Sequence, residues 1–159
     1  MAQGLKIGYV NSAKILSEYP DAIEAQKKID AQGKAWQTEL QKMSNDLQDK
    51  YAEFQKKSSM LTDAAKKEQQ DDLVTLEQKG QQFKMEKFGQ DGALAQLTGS
   101  LLSPIKKKVM KVIEVVAKEQ KLSFVFDRNE QILVLLYGDI KADYTNLVID
   151  RLKRGEAGN

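Results

Sequence analysis

The chain has neither cysteine nor histidine. Without a thiol there is no disulfide framework and no thiolate nucleophile. Without an imidazole, the commonest zinc ligand and the usual near-neutral general base are missing too. Ser-His and Cys-His nucleophile pairs are excluded outright. Aromatics are 7% of the 159 residues and there are only two prolines. No apolar run approaches the roughly 20 residues that span a bilayer. Met1-Ala2-Gln3 also lacks a signal peptide's hydrophobic region. A mature exported protein recloned behind a start Met would begin this way, and so would a cytosolic one. No arginine occurs between Met1 and Glu119 and the net charge is only +2, so no basic patch for a polyanion is demanded and no nucleic acid is expected as partner.

What is present is charge of both signs, at 30% of residues. From Asp21 to Ser103 the chain is mostly Lys, Gln, Asp, Glu and Ala, with 12 Lys against 14 Asp plus Glu and thinly spaced large apolar residues. Such a segment buries a narrow seam rather than a broad face. Seam positions fall at Ile29, Gly33, Trp36, Leu40, Met43, Leu47, Tyr51, Phe54, Ser58 and Leu61, in steps of 3 and 4 with one stutter around Leu47. Ser58 to Asp63 interrupts the pattern, and Thr62 or Asp63 suits a new helix cap. A second seam runs through Gln69, Leu73, Leu76, Gly80, Phe83, Lys87, Gln90, Leu94, Leu97 and Leu101. Two such helices joined by a short link predict an antiparallel coiled-coil hairpin over residues 21–103 with its tip near 58–63. The implied pairing sets Tyr51 near Leu73, Leu47 near Leu76, Met43 near Gly80, Leu40 near Phe83 and Trp36 near Lys87. An arm of about 40 residues projects roughly 60 Å and should protrude.

The ends read differently. Leu5 to Asn11 alternates like a half-buried strand, with Ser12 able to cap a short helix carrying Ile15 and Leu16, and Pro20-Asp21 opens the next helix. Ser103-Pro104 either caps a fresh helix or kinks an ongoing one. Ile105, Val109, Val112, Ile113, Val116 and Ala117 then form a broad apolar face. Strands are expected at Leu122 to Asp127 and Ile132 to Tyr137, followed by a last helix capped by Asp143. Two strands alone are marginal, so the sheet needs Leu5 to Asn11 as its third. The expected fold is α+β: a small β-sheet body from residues 1–20 and 104–159, with the helical arm as an excursion. The body is small for its arm, which points to oligomerisation. Six apolar residues in succession from Ile132 to Tyr137 imply burial of both faces.

KIGYVN, Ile15-Leu16, Tyr19-Pro20, LLSPIKKKVMKVIEVVAKEQ, LSFVFD, ILVLLYGD and DYTNLVIDRL follow one another in an order and spacing that resembles the Skp/OmpH family of periplasmic chaperones. The resemblance runs from Lys6 to about Leu152. It implies a periplasmic homotrimer whose bodies assemble together while three helical arms enclose a cavity, holding unfolded outer-membrane proteins without ATP. Family members release them to the assembly machinery or the bilayer. The best-known member is markedly basic along its arms, whereas this arm is near neutral. Ile7, Tyr9, Ile132, Val134 and Leu136 are the body residues expected at the oligomer contact.

A second stripe, Val74, Gln78, Gln81, Met85, Phe88, Gly92 and Ala95, lies one residue or roughly 100° from the main seam. Val74, Met85 and Phe88 therefore face something other than the hairpin, and with Met60 at the tip they are the client-binding candidates. The bland alternative is that they broaden the core or stand exposed singly. Lys56, Lys57, Lys66 and Lys67 flank the tip and are either solvated charge or a contact to anionic lipid or lipopolysaccharide. Gly89, Gly92 and Gly99 are costly in a helix and suggest a hinge, while close packing against Met43 would explain Gly80. Asp127, Asp139, Asp143 and Asp150 are read as turn and cap residues, and GQDG lacks the context of a phosphate loop. No catalytic, cofactor or metal residue is assigned, and the chain is not expected to be an enzyme. The rival reading is a structural coiled-coil adaptor that binds a folded partner.

Overall fold

The structure, a computed structural model, describes residues 4–129 and 134–155. It divides into two compact units, one of Met1–Lys27 with Ser100–Asn159 and one of Lys28–Gly99. The described elements are β1 (Ile7–Val10), α1 (Ser12–Glu18), α2 (Pro20–Lys57), α3 (Asp63–Phe88), α4 (Ala93–Glu119), β2 (Phe124–Asp127) and α5 (Thr145–Lys153).

In the first unit β1 and β2 pair in parallel, Ile7 opposite Phe124 through Val10 opposite Asp127. A parallel pair needs a crossover, and the helices between the strands supply it. Val125 is opposite Gly8, two residues from Val10 and so on the same sheet face, and the two valines turn inward together. They meet Ile15 of α1, Tyr19, Ala22 and Ala25 around the start of α2, the α4 stripe Ile105, Val109, Val112 and Val116, and Val148, Ile149 and Leu152 of α5. The α4 stripe repeats in steps of 4, 3 and 4, so one helix face stays on the core from Ile105 to Val116. Pro104 lies inside α4, which continues through it. Pro20 opens α2, and Tyr19 before it is extended, the conformation a following proline favours.

Caps and side-chain clamps fasten the strands to the helices. Asn11, not Ser12, caps α1: its side chain accepts from the Lys14 N–H at 2.9 Å. Ser12 is engaged instead by Asp127 at the end of β2, donating its N–H at 2.9 Å and its hydroxyl at 2.6 Å. Buried Thr145 accepts from the Asn11 N–H, and its own N–H goes to Asp143 Oδ1, both at 2.9 Å. Asp143 thus serves the start of α5 from one place before the Tyr144 cap position. At the C-terminus of α4 the Leu122 N–H reaches Ala117 O and the Lys121 N–H reaches Lys118 O, the two bonds of a Schellman ending. Lys121 occupies the left-handed position at φ 55°, where glycine is usual.

The expected third strand is not formed over its described part. Residues 134–137 are irregular, with Val134, Leu136 and Tyr137 64–80% exposed and Leu135 half-buried. β1 is bridged beyond β2 by Asp143, opposite Tyr9, and Gly138 lies so close to the Tyr9 ring that a Cβ there would come within 2.4 Å. Among the described residues no element covers an apolar strand at 134–137, and an uncovered one gains little from forming.

The second unit is helical. Its apolar positions recur as half-buried residues at Trp36, Leu40, Met43, Leu47 and Phe54 on α2, and at Leu73, Leu76 and Phe83 on α3. Lys87 places its ammonium 5.3 Å from the Trp36 ring centroid and 5.6 Å from that of Phe83. A lysine can hold a seam position because its stem is apolar and its charge rests on aromatic faces. Gly33 lies beside Leu94, whose side chain would be 3.6 Å from a Cβ added at Gly33. Gly80 has nothing within 4 Å of its would-be Cβ, so close packing against Met43 does not explain it. A 3₁₀ turn, Ser58–Met60, links α2 to α3, and Thr62 caps α3 by accepting from the Ala65 N–H at 3.3 Å.

Candidate functional site

A polar helical surface leaves water in contact with any apolar side chain that misses the seam, and such side chains are what a binding surface can use. Val74 is 51% and Met85 69% exposed on α3, and Met60 on the 3₁₀ turn is 78% exposed. Phe88 differs: at the last residue of α3 it is half-buried, and Gly92 of the same stripe is buried. The structure thus leaves Val74, Met85 and Met60 open to solvent and draws Phe88 partly inward.

Sequence reasoning missed Tyr51. Its seam spacing predicts packing, yet it is 53% exposed. The stutter explains this. Leu47 to Tyr51 is a step of 4 followed by a step of 3 to Phe54, which on a straight helix turns Tyr51 some 40° off the seam line. Tyr51 and Val74 border one open groove, with Leu47, Phe54 and Leu73 beneath them. A second hollow uses the same Phe54 and Leu73 but is edged by Lys50, Glu53, Lys57 and Asp72.

The tip lysines are not equivalent. Lys57 pairs with Glu53, and Lys66 lies 3.9 Å from Asp63. Glu53 is held below the usual carboxylate range by its hydrogen bond from Lys57. Exposed pairs of this kind stabilise little. Among the described residues Lys56 and Lys67 form no ion pair, so they are the freer charges of the four.

The glycines separate as well. α3 ends at Phe88 and α4 begins at Ala93, with Gly89 to Gly92 between them. A Cβ on Gly89 would lie 2.4 Å from Met85 O, and one on Gly92 2.9 Å from Gly89 N. Both are required by the backbone's close approach to itself. Gly99 lies inside α4 with open space around it.

In the first unit, Ile7, Phe124 and Phe126 share the outer sheet face and are exposed, the two phenylalanine rings 6.4 Å apart. Val134 and Leu136 are exposed too. Tyr9 corrects the expectation. At 4% exposure it is buried within its own chain, its hydroxyl donating to Gly138 O and its ring under the Arg128 guanidinium. It cannot offer a face to another subunit. Ile132 lies outside the described residues. The outer phenylalanines went unrecognised because alternation alone does not say which strand face the helices cover.

The aspartates considered for chemistry have local duties. Asp127 holds Ser12, Asp139 accepts from the Lys141 N–H, and Asp143 holds Thr145. Among the described residues, no group of three or more acidic side chains is placed to hold a metal ion, and no helix is long and apolar enough to cross a membrane.

Comparison with known proteins places this architecture. The curated "Chaperone protein Skp" of Yersinia enterocolitica is 25% identical over 151 residues, covering 95% of this chain and 88% of that protein. A crystal structure of an OmpH-like protein from Caulobacter crescentus superposes with a TM-score of 0.79 at 14% identity, over 100% of this chain and 90% of that one, which shows a shared fold. The family model for outer membrane protein (OmpH-like) matches residues 6–152, and the chain belongs to that family.

Proposed function

We propose that this protein is an ATP-independent periplasmic holdase that binds unfolded outer-membrane proteins and prevents their aggregation. The observation that carries it is the placement of exposed apolar side chains, Met60, Val74 and Met85, singly along polar helices in a chain of the OmpH-like family with a Skp relative. Scattered apolar contacts on a polar wall tolerate many sequences, and methionine adapts to different partners. Each contact stays labile while several summed over one client hold it firmly. No nucleotide is needed for such binding.

In this reading residues 21–103 form an antiparallel arm with its tip near 58–63, and residues 1–20 with 104–159 form the body through which three copies assemble. The meeting of Trp36 with Lys87 and of Gly33 with Leu94 supports the arm. The exposed Ile7, Phe124, Phe126, Val134 and Leu136 support assembly, because a monomer rarely leaves that much apolar surface in water. Three arms then enclose the client. Gly89 to Gly92, and more weakly Gly99, let the arm adjust to clients of different size. Lys56 and Lys67 touch anionic lipid or lipopolysaccharide at the tip.

Light scattering coupled to sizing, with and without a urea-unfolded β-barrel membrane protein, tests the reading. A trimer that gains one soluble client is the expected result. A monomer or dimer that ignores the unfolded chain overturns it, and binding only to a native partner establishes the adaptor instead.

A further inference from the structure

Building on the holdase reading, we propose that the groove between Tyr51 and Val74 is a subsite for extended, unfolded polypeptide carrying an aromatic or aliphatic residue beside a lysine or arginine. Three features of the groove argue for this occupant. Tyr51 from α2 and Val74 from α3 are each about half exposed, at 53% and 51%, and face one hollow floored by Phe54 and Leu73. An apolar client side chain set there covers four apolar groups at once. The charges bordering the groove are of one sign only, Asp71 and Glu77. Among the described residues neither carboxylate has an ion-pair partner, although Glu77 accepts a hydrogen bond from Gln81 at 3.3 Å. A cation next to the inserted side chain therefore finds an unneutralised carboxylate. The groove is also open, which suits an extended strand that lies across it rather than a small molecule that must be enclosed.

The hollow on the other side of Phe54 and Leu73 is an internal control. Its edge mixes Lys50 and Lys57 with Glu53 and Asp72, and Lys57 already pairs with Glu53. The same apolar floor there carries no charge preference.

The test uses the full chain and two short unstructured peptides that differ only in a Lys or a Glu beside a single Phe, with a urea-unfolded β-barrel protein measured in parallel. The wild type should bind the Lys peptide more tightly. Tyr51→Ser with Val74→Ser should weaken it about tenfold, a change of about 1.4 kcal/mol, with helix content retained because about half of each side chain already faces water. Asp71→Lys with Glu77→Lys should reverse the peptide preference, a readout that loss of folding cannot mimic. Equal binding of the two peptides by the wild type, or full affinity in the Tyr51/Val74 variant, overturns the subsite while leaving the holdase standing. Failure to bind the unfolded barrel at all removes the holdase and the subsite with it. A change of subunit number in the Tyr51/Val74 variant makes the groove a contact between copies and overturns the proposal.

Discussion

In the unit made of Met1–Lys27 and Ser100–Asn159, Ile15, Val112, Val116 and Val148 have at most 1% of their surface exposed. Among residues 28–99 every apolar seam residue from Trp36 to Leu97 keeps some contact with water. Strands and helices in the first unit surround a volume, whereas the helices of the second bury only a line. Burial stabilises in proportion to area removed from water, so the two units should differ in how much one side chain contributes. The lesson for function is that the thinly buried helices leave apolar groups such as Val74 and Met85 at the surface, while the closed core anchors the chain ends.

The sharpest way to break that contrast is a matched truncation in each unit. Ile15→Ala should cost about 2–5 kcal/mol, because it opens a cavity among fully enclosed neighbours. Leu73→Ala should cost only about 1–2 kcal/mol, since part of its surface already faces water. Urea denaturation of both variants gives the comparison, and equal losses would dissolve it.

Close approach provides a smaller effect in the same direction. A Cβ at Gly8 would lie 2.7 Å from the Tyr144 ring and 2.8 Å from Leu122, so Gly8→Ala should destabilise by about 1–3 kcal/mol through overpacking. Its thermal melting point should fall correspondingly.

Around the break between α3 and α4 the same substitution should change sign with position. Gly99→Ala, in open space within α4, should stabilise by up to about 1 kcal/mol through helix propensity. Gly89→Ala drives a methyl against the Met85 carbonyl and should destabilise. Hydrogen exchange across residues 85–100 reads both, and stabilisation by Gly89→Ala would contradict the geometry.

The smallest effect is a pH dependence at Asp21 in the first unit. Asp21 is held below its ordinary value of 3.8 chiefly by the hydrogen bond from Tyr19, with Lys108 3.3 Å away contributing. A lowered folded pKa stabilises above the ordinary value, and that stabilisation fades as pH falls through the folded value. Melting curves of wild type and Asp21→Asn should therefore differ at neutral pH and converge below pH 3.8.

Much of this was legible in the chain alone, for a physical reason. Helical spacing is local, so the 3 and 4 steps through Trp36, Leu40, Leu73 and Phe83 identify half-buried residues without knowledge of any partner. Thr62 is readable as a cap because its chemistry acts three residues away. Strand pairing is not local. The pattern at Ile132 to Tyr137 speaks of apolar surface but cannot say whether this chain or another copy covers it.

The sequence by itself determined the long polar helices, their narrow seams and the break near 58–63, because these follow from periodicity and capping within a few residues. Only the tertiary structure decided that β1 and β2 run parallel, that Tyr9 is buried within its own chain under Arg128 and against Gly138, and that Tyr51 lines one groove with Val74. Those outcomes depend on which surfaces approach one another across many residues. A side chain's fate there is set by its neighbours in space, which periodicity does not encode.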